Sequence, residues 1–264
     1  ACWCYQTDEV QRAVLDRGYI LATFNRTEVA PDVRTGGRSG GLFDVYPDAD
    51  FGALAAWAWA YHRCVDFLRT LDVVDDDRIA ATGHSRGGKT VLLAGATDER
   101  IAVTAPNNSG CAGAGCFRVG GESDERLANI LDKFPYWFSP RFKEYIGREN
   151  ELPFDQHALK ALVAPRPLLT TEALGDLWAN PRGTWHTHLA AREAYRFLDA
   201  EDDIGIFYRE GPHRHGLDDW QVLLDFADWK LKGQKPERDF SRSPFENESP
   251  VFSWSASSPG AEVG

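Results

Sequence analysis

Methionine is absent from all 264 residues, the first position included. The chain is therefore expected to be a partial or processed one, and an export signal lying upstream would leave no trace in it. Long apolar runs are also lacking: none approaches the roughly 18 to 20 residues that span a bilayer, so no membrane helix is expected. Basic charge is in short supply, with 29 Lys and Arg against 40 Asp and Glu and a net charge of −11. That balance opposes binding to nucleic acid, which requires clustered cations that release counterions from phosphates. The five cysteines are an odd number and form no pair of CxxC motifs. A structural zinc site and a full disulfide framework are therefore not expected, and nothing calls for a metal or cofactor. Cys2 and Cys4 would face opposite sides of a strand, and Cys64 falls in a helical pattern as a core residue. Cys111 and Cys116 flank a short Ala/Gly loop, where a bridge would be a local clip; the sequence leaves that open.

What is present is a 43% hydrophobic composition, enough for one sizeable core, and one domain is the default at this length. Apolar runs alternate with helical periodicity, the pattern of a parallel sheet with crossover helices. Residues 7–17 read as a helix stopped by Gly18, and 19–24 read as a buried strand. A loop rich in Gly, Arg and Asp covers 25–47. Asp48 and Asp50 are N-terminal signals for a helix over 50–71, where Leu54, Trp57, Ala58, Tyr61, Val65 and Leu68 recur at helical spacing. A strand follows at 78–83, a helix through 96 and a strand at 101–106. A loop-rich insertion spans 107–162, with helical stretches at 123–132 and 155–162. The pattern closes with a strand at 166–172, Pro167 falling among its first residues, a helix at 184–199, a strand at 204–209 and a helix at 217–231. Beyond Gly233 the Pro/Ser-rich tail is expected to wrap the surface without regular structure. The expectation is an α/β-hydrolase fold, a mostly parallel sheet sandwiched by helices and lacking its N-terminal strands. Its catalytic domain would cover 1–233, with 234–264 as an irregular tail packed on it.

Gly83-His84-Ser85-Arg86-Gly87 is a GxSxG run directly after an apolar strand and directly before a helical stretch. That is the setting of a nucleophile elbow, whose flanking glycines are required because the strained turn leaves no room for side chains. Ser85 is the expected nucleophile. The fold's chain order is serine, acid, histidine, so the base is sought after the last strand. His213 and His215 both lie there. His213 is preferred because it follows the Gly211-Pro212 turn nearer the strand end, and His215 is then expected at the surface. His62, His157, His186 and His188 fall on helical patterns as packed or solvated imidazoles. For the acid, Asp176 is preferred over Glu172, which is still within its strand, with Asp155 as fallback; an ionised carboxylate there would orient the imidazole and stabilise imidazolium. Arg86 and Lys89 at the start of the following helix oppose its macrodipole, so their placement asks for a function. Counting strands back from Ser85 puts the one that supplies the second oxyanion amide before Ala1.

The chain resembles the glucuronoyl esterases, carbohydrate esterases of family 15 that cleave ester bonds between glucuronate on xylan and lignin alcohols. The resemblance rests on Gly83-His84-Ser85-Arg86-Gly87-Gly88-Lys89, Asn107-Asn108-Ser109-Gly110-Cys111, Gly121-Glu122-Ser123, Phe134-Pro135-Tyr136-Trp137-Phe138 and Leu152-Pro153-Phe154-Asp155-Gln156-His157. It continues in Ala164-Pro165-Arg166-Pro167-Leu168, Asp176-Leu177-Trp178-Ala179-Asn180-Pro181 and Arg209-Glu210-Gly211-Pro212-His213 with Asp219-Trp220, so that it spans about residues 17 to 232. It implies Ser85 as nucleophile, His213 as base and Arg86 as a guanidinium beside the developing oxyanion. Lys89, Glu122 and Trp178 fall where the family holds the sugar. Many members carry their triad acid as a glutamate where this chain has Asn108; other bacterial members use an aspartate in the Asp-x-Trp loop, which matches Asp176. The resemblance also implies glucuronoxylan and lignin-carbohydrate esters as substrates, and a secreted or periplasmic location. A monomer is expected. The alternatives are another carbohydrate esterase, such as an acetyl xylan esterase, and a catalytically silent sugar-binding homologue.

Overall fold

The computed structural model describes residues 7–255. In chain order the helices and strands are α1 (Asp8–Asp16), α2 (Arg26–Val29), α3 (Leu42–Val45), α4 (Ala53–Leu68), β1 (Ala80–His84), α5 (Arg86–Thr97) and β2 (Val103–Asn107). They continue with α6 (Leu127–Lys133), α7 (Gln156–Val163), β3 (Leu168–Ala173), α8 (Pro181–Phe197), β4 (Ile204–Arg209) and α9 (Leu217–Lys232). The four strands form one sheet in the order β1-β2-β3-β4, every neighbouring pair parallel. β2 and β3 are buried along their whole length, as strands covered on both faces must be. Helices α4, α5, α7 and α8 pack in sequence over one side, while α9 lies across β2 and β3 with α1 against it. The apolar clusters follow this layering: Val10, Val14, Leu169, Trp220 and Phe226 fill the α1/α9 side. Ala58, Val65, Val91 and Ile101 fill the space between α4, α5 and the sheet.

Three sequence expectations need correction, and the open question of a Cys111–Cys116 bridge is answered. Residues 19–24 have no regular structure and join no strand among the described residues. Their apolar side chains are satisfied by helices: Tyr19 and Leu21 pack with the α1/α9 cluster, the Tyr19 hydroxyl donates to Asp228 at 2.8 Å, and Phe24 meets Tyr61 edge-on. Asp48 and Asp50 do not cap α4, whose N-cap is Gly52; Asp50 accepts instead from Ser139 and faces Arg141. Cys111 and Cys116 are both free and buried. The Cys116 thiol donates to Asp155 at 3.1 Å, and the loop is closed by the Ala114 amide donating to the Ser109 hydroxyl at 2.7 Å. The steric demand expected at Gly87 is absent, since a Cβ there would meet nothing. It falls on Gly83, where a Cβ would lie 2.3 Å from the Gly87 carbonyl oxygen, and on Gly88, 2.8 Å from Ser109.

Cys2 and Cys4 lie outside the described residues, as do residues 256–264. The described tail has no regular structure, but it is anchored. Phe240 enters the α1/α9 core, the Trp254 indole donates to the Ala190 carbonyl, and Glu248 pairs with Arg182 and His186. No described helix is long and apolar enough to cross a membrane.

Candidate active site

In a parallel sheet all strands end on the same side, so the loops after β1, β3 and β4 converge there. Ser85 is the first residue past β1. Its φ of 57° and ψ of −122° are strained for a residue bearing a side chain. Two backbone bonds hold the turn: Ser85 N–H donates to the Asn107 carbonyl at 2.9 Å, and Lys89 N–H to the Ser85 carbonyl at 3.0 Å. The side chain is thereby presented at the N-terminus of α5.

Asp176 follows β3 and His213 follows β4. The His213 Nδ1 lies 2.5 Å from Asp176 Oδ2, with the carboxylate buried and the imidazole 40% exposed. A carboxylate can only accept, so Nδ1 carries the proton and Nε2 is left as the basic nitrogen. The ring rests on His84, the residue before Ser85, at 4.4 Å between centroids. The two loops are also tied by backbone: Leu174 N–H donates to the Arg209 carbonyl and Gly175 N–H to that of Gly211.

The rival residues are occupied elsewhere. His215 is not at the surface as expected; it is buried between His84 and Trp220 in a stack of rings. Burial holds both His84 and His215 at a pKa of about 3, so they are neutral at ordinary pH. Glu172 is fully buried, which pushes its pKa up to about 8, and it accepts from the Thr184 hydroxyl. A protonated carboxyl cannot stabilise an imidazolium. Asp155 accepts from the amides of Gln156, Phe117 and Arg118, so it caps α7 and fixes the insertion. Asn108 is a tie: its side-chain oxygen accepts from Ala173 N–H at 2.8 Å at the end of β3.

On the other side of Ser85, Arg86 is held firmly. It donates to Asp32 at 2.7 Å, and its guanidinium lies 4.9 Å from the Phe134 ring and 4.7 Å from that of Trp137. Asp32 also accepts from Arg26, the Tyr136 hydroxyl and the Trp137 indole. Burial alone would raise the pKa of Asp32; the hydrogen bonds from Arg86, Arg26 and Tyr136 outweigh it and leave the carboxyl below its ordinary value. Asp32 was not foreseen. Nothing in the spacing of the 25–47 loop separates it from Glu28 or Asp44.

Lys89 is not the open sugar contact expected. Its ammonium donates to Ser109 O at 2.7 Å, Cys111 O at 2.5 Å and Glu125 Oε2 at 2.7 Å, which uses all three hydrogens, and its side chain is 4% exposed. Glu125, missed by sequence reasoning, is thus the acid beside Lys89, while Glu122 is exposed on the loop before it. Glu122 and Trp178 do come together, in the wall of a trough of about 480 Å³ shared with Asp124 and Arg126. The Trp178 ring is 40% exposed and Lys133 Nζ lies 4.6 Å from its centre.

A helix-flanked parallel sheet with a serine on a strained strand-to-helix turn defines the α/β-hydrolase class. Residues 5–199 match the family model described as glucuronyl esterase, fungi, and the chain belongs to the glucuronoyl esterase family. Among curated relatives it is 36% identical over 248 residues to carbohydrate esterase MZ0003 from an unknown prokaryotic organism, covering 85% of this chain and 56% of that one. It is 33% identical over 251 residues to a 4-O-methyl-glucuronoyl methylesterase of Hypocrea jecorina, covering 90% and 54%. The chain thus spans about half the length of these curated relatives. Among solved structures it resembles a carbohydrate esterase family 15 glucuronoyl esterase from Caldicellulosiruptor kristjansonii. The TM-score is 0.88 at 36% identity, covering 94% of this chain and 69% of that one.

Proposed function

We propose that this protein is a serine esterase that opens glucuronate esters, those joining 4-O-methyl-glucuronoyl groups of xylan to lignin alcohols, by two-step acyl transfer. The observation that carries the reading is the 2.5 Å bond that fixes His213 to Asp176, with the imidazole laid on the residue next to Ser85. His213 takes the proton of Ser85 as the serine oxygen attacks the ester carbonyl, then returns it to the departing alcohol. Water enters by the same base, and the uronic acid leaves. Asp176 keeps the tautomer and stabilises imidazolium through both steps.

Negative charge on the carbonyl oxygen is met by Arg86 and by amides at the start of α5. A fixed cation in a partly dry site gives more stabilisation than a neutral donor. Family membership and the 4-O-methyl-glucuronoyl ester named in the Hypocrea relative support the substrate class. Trp178 and Glu122 are proposed to receive the sugar at the trough. Lys89 acts from beneath, fixing Glu125 and the 109–111 backbone. A polymeric plant substrate is met outside the cell, so the reading includes a secreted or periplasmic monomer, its catalytic unit in 1–233 and its tail packed on that unit.

The test is turnover of benzyl or methyl glucuronate beside a sugar acetate. The uronate ester should be preferred, and Ser85→Ala should abolish its hydrolysis while leaving the protein folded. Retained turnover would overturn the nucleophile, and preference for acetate would overturn the substrate class.

A further inference from the structure

Arg209, the last residue of β4, turns its guanidinium into the loop that carries His213. Its Nη1 donates to the carbonyls of Glu210 at 3.0 Å and Pro212 at 3.2 Å, and its Nη2 to that of Arg214 at 2.7 Å. Three alternate carbonyls around the base therefore point at one rigid fork. The remaining donor, Nε, is bound to Asp219 Oδ1 at 2.6 Å, in an ion pair whose side chains are 9% and 2% exposed. Asp219 closes the far end of the same loop by accepting from Gly216 N–H at 2.8 Å. It also accepts from Asn107 Nδ2 at 3.2 Å, and Asn107 in turn binds His84 Nδ1 at 2.5 Å and donates to the Thr171 hydroxyl at 2.8 Å. One carboxylate thus governs both the loop bearing His213 and the ring on which His213 rests.

We propose that the buried Arg209–Asp219 pair is the positioning pair of the base, setting where the His213 Nε2 stands relative to Ser85. The inference rests on Ser85 and His213 acting as nucleophile and base. A buried ion pair is a poor source of net stability, because the desolvation of both charges offsets their attraction. Its worth lies in geometry. Asp176 holds the His213 ring and the backbone ties to β3 stop at Gly211, so the backbone of 212–216 depends on the fork, with Asn108 Nδ2 adding one long bond of 3.5 Å to the Arg214 carbonyl. Lys in place of Arg209 keeps the charge but offers a single nitrogen, which cannot span three carbonyls and a carboxylate.

The experiment compares Arg209→Lys, Asp219→Asn and, as a control on the same loop, Arg214→Gln, which breaks the exposed pair with Asp218 and gives up a 4.0 Å approach to Asp219 but leaves every hydrogen bond of Asp219 in place. For each, kcat and KM are measured on benzyl glucuronate, and the low-field proton on His213 Nδ1 is followed by NMR in the ligand-free protein. Arg209→Lys and Asp219→Asn should lower kcat by roughly tenfold or more with KM within about twofold, as expected for a displaced catalytic group. Their low-field proton should shift or broaden, and Arg214→Gln should alter neither readout. Wild-type kcat with an unmoved proton, or a loss carried entirely by KM, would overturn the positioning role. Should either variant fail to fold, Asn107→Ser, which cuts the link from Asp219 to His84, is judged by the same two readouts. A wild type inert on uronate esters, whose proton still shifts in the variants, would sink the substrate reading and leave the pair standing. An active wild type with unaffected variants would sink the pair alone.

Discussion

The two sides of Ser85 are built in different ways. On one side, the ends of β1, β3 and β4 deliver Ser85, Asp176 and His213 along a ladder of backbone hydrogen bonds. On the other, the 25–47 loop and the 108–156 insertion form a wall from short helical turns and single carboxylates that each gather several donors. Asp32 collects Arg86, Arg26, Tyr136 and Trp137, while Asp155 collects three amides and a thiol. Sheet topology brings the three strand ends of the first side together, and a buried side-chain pair, Arg209–Asp219, then holds the loop that bears His213. The second stands or falls with a few ions.

The largest effect that separates the two belongs to the acid. Asp176→Asn should lower kcat by about three to four orders of magnitude, because an amide presents a donor to Nδ1 and favours the wrong tautomer. Asn108→Asp, which places a carboxylate beside the end of β3, should change kcat only modestly. Its side chain accepts from Ala173 N–H, a bond that an aspartate retains. The reverse ranking in steady-state kinetics would move the acid to position 108.

On the wall, Asp32→Asn keeps the shape and removes the charge that locks Arg86. The guanidinium still stacks on Phe134 and Trp137, so the expected loss is smaller, about tenfold in kcat. Arg86→Gln should cost about a hundredfold or more, on the scale of losing one oxyanion donor. If Asp32→Asn costs clearly more than Arg86→Gln, the carboxylate does not act through Arg86 alone. Trp178→Ala should raise KM several-fold with kcat little changed, as loss of a stacking face removes ground-state and transition-state binding alike.

This division also explains what the sequence revealed. Ser85, Asp176 and His213 were legible because each follows an apolar run of strand length, and the order of the three is a property of the fold. β4 was placed to the residue for the same reason. The wall was not legible: Asp32 and Glu125 are acids among many in loops without periodicity, and their partners lie 54 and 36 residues away. Lys89 stands out in the sequence by its odd place in the first turn of a helix, and in the structure its ammonium is sealed beneath the 109–111 backbone. Residues 19–24 have the composition of a strand, but an apolar run is satisfied equally well by helices. Only a partner strand decides between the two.

Acid should expose the contrast in the stability of the two sides. His84 and His215, on the strand-end side, are held by burial at a pKa of about 3 against an ordinary 6.5. Between those values the unfolded chain binds protons that the folded chain refuses, so their contribution is complete above about 6.5 and is lost as pH falls toward 3. Each histidine adds a slope of about 1.4 kcal/mol per pH unit within that window. His188 and His157, whose pKa values burial also lowers, add in the same direction from α8 and α7. Asp32 behaves otherwise. Its carboxyl is held below 3.8, so its contribution persists until the pH falls below that value. From pH 6.5 to 4, then, Asp32 is silent while these histidines stay neutral in the fold and gain protons in the unfolded chain. His215→Phe keeps an aromatic ring between His84 and Trp220 and removes one titrating group. It should flatten the fall of the urea midpoint between pH 6.5 and 4 by one histidine's share, and Asp32→Asn should leave that slope as it is. A slope unchanged by His215→Phe would show that His215 is not held neutral by burial. A slope flattened by Asp32→Asn would place the acid-sensitive element on the wall instead.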